Sequence, residues 1–73
     1  MGFSRDAVIV GGCGRVGLPL GLALADSGLA VTLYDRDAFA VDRVRAAKMP
    51  FFEREADAVL ERLISTDKLY VTT

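Results

Sequence analysis

Two groups of residues in this chain have types and spacing that can do chemistry. One is Gly12-x-Gly14-x-x-Gly17. The other is Asp35, an acid about 20 residues further on. Backbone N–H groups in a glycine turn can wrap an anion, and a carboxylate can accept hydrogen bonds from two neighbouring hydroxyls. Together they suit a dinucleotide, with the diphosphate on the loop and the adenosine ribose on the acid. In this reading Gly12 lets the chain turn tightly, Gly14 lets the diphosphate approach the backbone, and Gly17 lets a helix lie close on a strand. The diphosphate then meets unpaired N–H groups at the positive end of a helix dipole. The plainer alternative is a glycine-rich turn that binds nothing, with Asp35 a solvated turn acid.

The residues around these two groups each carry two readings. Asp35 would repel a 2′-phosphate and so favours NAD over NADP, whereas Arg36 beside it can hold such a phosphate. Arg15 can reach a phosphate with its fork of donors or point into water. Gly12, Gly14, Arg15, Val16, Gly17, Asp35 and Arg36 form the candidate cofactor-binding set. Cys13 sits near a helix N-terminus, where thiolate is stabilised. A nucleophile also needs a base, and the chain has no histidine, so Cys13 reads as a small filler of the turn. Glu53 after Pro50 reads as a helix-start acid or as a group that positions a ligand or partner. Phe51 and Phe52 read as core or interface rather than a stacking platform, and Asp37 as a helix cap rather than a ligand. No catalytic or metal-binding set emerges.

The elements that must position these groups follow from the pattern. Residues 7–11 read as a strand, apolar on both faces, as a parallel strand covered by helices on both sides should be. A helix is expected over residues 14–27. Its stripe is Val16, Leu20, Ala23 and Leu24, widened by Leu18 and Leu22. Gly17 and Gly21, four apart, share one helix face and permit close approach to a sheet. Pro19 removes a donor in the second turn, where a slight widening is expected. Gly28 is the stop.

A second strand follows at residues 30–34, then a turn with Asp37 as N-cap. A helix over 38–47 carries Phe39, Val41 and Val44, and ends before Pro50. A third helix over 53–65 shows the cleanest amphipathic spacing, Ala56, Val59, Leu60, Leu63 and Ile64, with Glu53, Glu55 and Asp57 in its first turns. A third strand spans 69–72. The order β-α-β-α-α-β with right-handed crossovers predicts an α/β fold, a parallel sheet in the order 3-2-1. That is half of a Rossmann doubly wound domain, a single partial dinucleotide-binding domain over residues 1–73.

Composition bounds the rest. Seventy-three residues are marginal for an independent core. The chain is 52% hydrophobic and 26% charged, which fits a globular fold. A net charge of −1 without a basic stripe gives no electrostatic footprint for nucleic acid. One cysteine forms no internal disulfide and fits a reducing compartment. No apolar run reaches the ~18 residues of a membrane span. The opening MGFSRD lacks a signal-peptide apolar region, and Asp6 stands where a myristoylation signal wants Ser or Thr. Residues 1–6 read as a frayed polar lead-in, and the cytoplasm as the setting.

Several segments together resemble one family. Gly12-Cys13-Gly14-Arg15-Val16-Gly17-Leu18-Pro19-Leu20 resembles the GxGYVGLPL signature that opens the nucleotide-sugar dehydrogenases, the UDP-glucose, GDP-mannose and UDP-N-acetylmannosamine 6-dehydrogenases. Tyr34-Asp35-Arg36-Asp37 is similar to the xDxD end of their second strand. Pro50-Phe51-Phe52-Glu53 is similar to their P-x-x-E segment, and the closing KLYVTT to their LxxTT strand. The departures are Arg15 for a usual Tyr, Gly11 for a β-branched residue, Ala47 for a common glycine and Arg54 for a common proline.

The resemblance implies an NAD-binding N-terminal part of an enzyme that oxidises a sugar C6 alcohol to a carboxylate. The family's catalytic cysteine, lysine and sugar-binding domain map onto nothing here, so the chain is expected to be inactive alone and to meet a nucleotide sugar only in a full-length protein. Self-association through a bare edge of the first strand is a further expectation. The alternatives are a non-catalytic assembly module and a part of another NAD(P)- or flavin-dependent oxidoreductase. The P-x-x-E segment and third helix weigh against the latter.

Overall fold

The computed structural model describes residues 5–73. The elements run β1 Ala7–Val10, α1 Gly17–Asp26, β2 Val31–Tyr34, α2 Ala38–Arg45, α3 Ala56–Ile64 and β3 Leu69–Thr72. The three strands form one parallel sheet in the order β1-β2-β3, with β2 at the centre. The fold is α/β, as the alternation of patterns predicts.

Register explains where the core lies. Ala7 pairs with Val31 and Val31 with Leu69, and two residues on, Ile9, Leu33 and Val71 form the next row. Side chains alternate along a strand, so these two rows share one face. That face packs against Leu18, Leu22 and Ala25 of α1, Val41 and Val44 of α2, and Leu60 and Leu63 of α3, in a single core cluster.

Among the described residues nothing covers the opposite face. Val8 is 62% and Val10 79% exposed, with Tyr34 and Tyr70 also open. Among the described residues helices cover one side of β1, not both as expected. Crossovers of one hand that step the same way across a sheet leave their helices on one side. An apolar run cannot report this, because it reads the same whether one face or two is covered.

α1 begins at Gly17, three residues later than expected. Residues 11–16 form turns instead, with the Gly14 N–H donating to the Gly11 carbonyl at 3.0 Å. Pro19 falls in the first turn of α1 and, as expected, lacks the N–H that would add a bond between those of its two neighbours. Leu18 and Leu20 on either side keep bonds to the residue four back, at 3.0 and 3.2 Å, and the expected widening is not seen. The buried face of α1 is Leu18, Gly21, Leu22 and Ala25, whereas Val16 and Leu20 are exposed. The expected stripe had the wrong phase because this helix is apolar almost all round. Gly21 marks the true contact, since a Cβ there would collide with Leu33 of β2.

Two helix ends share one geometry. After α1, the N–H of Gly28 donates to Ala25 O and that of Leu29 to Leu24 O. After α2, Ala47 donates to Val44 O and Lys48 to Arg43 O. Both sets close the helix through a left-handed residue, Gly28 at φ 106° and Ala47 at φ 63°. Asp37 caps α2 as expected, accepting from Phe39 N at 3.1 Å and Ala40 N at 3.2 Å. Phe39 itself stays exposed, while Val41 and Val44 are buried.

α3 starts at Ala56 rather than Glu53, because Glu55 takes a left-handed conformation, φ 64°, that breaks the helical phase. Only Asp57 then lies in the first turn, and it accepts a bond from Met49 N at 3.1 Å. At the other end of the sheet, Arg5 and Asp6 are tied down, contrary to the frayed lead-in expected. Arg5 donates to Val31 O and Asp67 O, each at 2.7 Å, and Asp6 exchanges two bonds with Ala30. Residues 1–4 of that lead-in lie outside the described residues.

Candidate functional site

The residues singled out for their chemistry meet at the carboxyl ends of β1 and β2. Gly11 carries φ 73° and turns the chain out of β1. The tight turn assigned to Gly12 therefore belongs to its neighbour. Gly12 is required for a different reason. A Cβ on it would lie 2.7 Å from Leu33 Cβ and 2.9 Å from the Ile9 carbonyl oxygen. At Gly17 a Cβ would lie 2.5 Å from Gly11 O and 3.1 Å from Gly12 Cα, so its absence lets α1 start directly against the strand exit. At Gly14 a Cβ would meet only Gly11 O, at 3.3 Å. The chain's own atoms press on Gly12 and Gly17, and leave the space at Gly14 nearly open.

Asp35 follows β2 and spans the gap between the two strand ends. Its Oδ2 accepts from Cys13 N at 3.1 Å, and its Oδ1 from Asp37 N at 3.0 Å. The carboxylate therefore faces the glycine loop. A carboxylate offers about four acceptor positions, so two of them remain for other donors. Beside it opens a cleft of about 280 Å³ lined by Val10, Gly11, Tyr34, Asp35 and Arg36. Arg36 is exposed at the rim.

At the start of α1 no side chain caps the helix and its first turn holds no acid. Among the described residues the N–H groups of Arg15, Val16 and Gly17 donate to no protein acceptor. The Val16 side chain is exposed. The Arg15 side chain is exposed, and its Cζ lies over the Phe51 ring, 5.1 Å from the centroid. That contact joins the loop to the segment before α3, and a sequence pattern has no way to show it.

Cys13 is buried, and its thiol is pushed up to about 11, first by burial and then by the negative charges of Asp35 and Asp37. These outweigh the helix dipole, which would favour thiolate. The side chain fills the turn. Glu53 lies apart from the loop, at a hollow it shares with Pro19, Ala23, Asp26 and Arg54. With α3 beginning at Ala56, it is not a helix-start acid.

The comparisons with known proteins can be set beside this geometry. The UDP-glucose/GDP-mannose dehydrogenase family, NAD binding domain, matches residues 6–73. No curated protein matches the chain. Among solved structures, the UDP-N-acetyl-mannosamine dehydrogenase Cap5O from S. aureus is similar, with a TM-score of 0.81 and 27% identity over 90% of this chain. The chain spans 16% of the length of that structure. Among the described residues, no helix is long and apolar enough to cross a membrane. The family match takes in the glycine loop, the acid after the second strand and every element of the sheet: the chain belongs to the UDP-glucose/GDP-mannose dehydrogenase family, in its NAD-binding domain.

Proposed function

We propose that residues 11–17 and Asp35 hold the ADP half of NAD, and that the chain supplies this half-site to a nucleotide-sugar 6-dehydrogenase. The observation that carries the reading is the position of the Asp35 carboxylate. It is bonded to the glycine loop through Cys13 N, yet has acceptor capacity left beside an open cleft. Ribose hydroxyls would donate to it. The diphosphate would lie over Gly14, where the fold leaves room for it, and accept from the free N–H groups of Arg15, Val16 and Gly17.

Asp35 favours NAD, because its charge opposes a 2′-phosphate, and Arg36 at the rim works the other way. Bound NAD supplies the hydride acceptor for oxidation of a sugar C6 alcohol to a carboxylate. The residues of this chain bind and orient the adenosine end. Alone it would bind weakly and turn nothing over, as one partial domain whose strands run 3-2-1 in half of a doubly wound sheet. A buried, unpaired Cys13 agrees with a reducing, cytoplasmic setting. Self-association belongs to the same reading. β1 is an edge strand, and Val8 and Val10 beside that edge are exposed.

Titration with NAD, followed through the amide resonances of residues 12–17, tests the cofactor. The expected result is a shift of those amides, with NADP binding at least about tenfold more weakly and Asp35→Asn narrowing that gap. Unmoved loop amides at millimolar NAD would sink the reading. Sedimentation showing a monomer at high concentration would remove the self-association alone.

A further inference from the structure

Arg15 is oddly placed for a cation. It lies two positions before α1, at the positive end of a helix with no acid in its first turn and no side-chain cap. A guanidinium there stands against the dipole. Among the described residues its N–H groups donate to nothing. It lies over the ring of Phe51, at 5.1 Å.

Phe51 is half-buried and packs against the core cluster. The ring is therefore held by the interior while one face meets the guanidinium. The attraction holds the cation over the ring face. A guanidinium carries five N–H donors in a fixed fork, and one ring contact does not use them all. A cation so placed, with unused donors beside the unpaired N–H groups of a helix start, is suited to a doubly charged anion.

We propose that Phe51 is a positioning residue for Arg15, and that the stacked guanidinium forms a charged wall of the diphosphate site. Phe51 reduces the freedom of a long side chain before the ligand arrives. The anion then meets the edge of the guanidinium while the ring keeps its face. This rests on the reading that residues 11–17 hold a diphosphate. It adds that the segment joining α2 to α3 takes part in holding it.

Calorimetric titration of the chain with ADP, and with adenosine as the uncharged comparison, tests this at low and high salt. Arg15→Gln should weaken ADP about tenfold, flatten its salt dependence and leave adenosine unchanged. Phe51→Leu keeps the apolar volume and loses the ring, and should weaken ADP about threefold. Phe51→Tyr should bind as wild type. Wild-type ADP affinity in Arg15→Gln overturns the proposal, and wild-type affinity in Phe51→Leu overturns the role of Phe51. Should Phe51→Leu fail to fold, the ring-current shift on the Arg15 side-chain protons decides the matter. It must be present in the free chain and persist with ADP, and its absence in either state overturns the stacking. Failure of the wild type to bind ADP at all is a separate result, and removes the diphosphate reading on which the proposal stands.

Discussion

Replacing Gly14 by Ala separates what the fold needs from what the ligand needs. A Cβ at that position meets a single atom, Gly11 O, at 3.3 Å, and Gly14 is not among the residues with positive φ. The tight contact costs on the order of 0.5 kcal/mol, given a shift of a few tenths of an ångström. The loss of glycine's freedom in the unfolded chain offsets this by about 0.4–1 kcal/mol. Stability should thus stay within about 0.5 kcal/mol of wild type, a change in Tm of under ~4 °C for a chain of this size. The ligand fares differently, because a methyl group over Gly14 stands where the diphosphate must pass. Losing even one N–H bond to a charged oxygen costs about 1.5–3 kcal/mol, so ADP affinity should fall by at least about tenfold.

Gly17→Ala is the comparison. Its Cβ lies 2.5 Å from Gly11 O and 3.1 Å from Gly12 Cα, both backbone atoms that no rotamer change can clear. Moving α1 off the strand exit should cost about 1–3 kcal/mol and take the ligand site with it. Urea melts followed by far-ultraviolet circular dichroism give the stabilities, and calorimetry with ADP gives the affinities. Wild-type ADP binding by Gly14→Ala would refute the cradle. A destabilisation as large as that of Gly17→Ala would refute the claim that the space at Gly14 is left for a ligand.

Two further outcomes concern the frame and the thiol. Ala47→Gly should stabilise the chain by about 0.5–1 kcal/mol, since it removes a left-handed strain of about 1–2 kcal/mol and gives back part through glycine's entropy. Gly28→Ala, at the matching end of α1 and with open space around it, should lose about 1–2 kcal/mol for backbone reasons alone, and denaturant melts of both check the sign. Cys13 holds its proton more tightly folded, about 11, than at its ordinary 9.0. Its contribution is therefore intact below pH 9 and is lost as the pH rises towards 11, a decline that melts of Cys13→Ala over the same range should lack.

Much of the frame was legible because it rests on local chemistry. The three strands, the Asp37 cap, the stop at Gly28 and the apolar row of α3 each follow from residues within a few positions of one another. Gly21 advertised a close helix–sheet contact for the same reason. What escaped depended on distant parts. The side of the sheet that the helices take is set by how successive crossovers step, so Val8 and Val10 read as core and are not. The phase of α1 was hidden because leucine and alanine occupy nearly every side of it. Glu55 gives no sign that it will adopt a conformation glycine prefers, whereas Ala47, standing for a common glycine, gives a hint. Around the site, the pairing of the loop with Asp35 was foreseeable from spacing. The approach of Phe51 to Arg15 spans two helices and a strand, and no periodicity encodes it.

The uncovered side of the sheet also decides what light can report about this molecule. The chain has no tryptophan and two tyrosines. Both Tyr34 and Tyr70 stand on that uncovered side, 42% and 55% exposed, and Tyr34 also borders the cleft beside Asp35. Their emission is therefore a poor gauge of unfolding, because the rings are already largely wetted in the native state. It is a direct gauge of arrival. An adenine entering the cleft should dim Tyr34 alone, and a second surface settling on the sheet should change both.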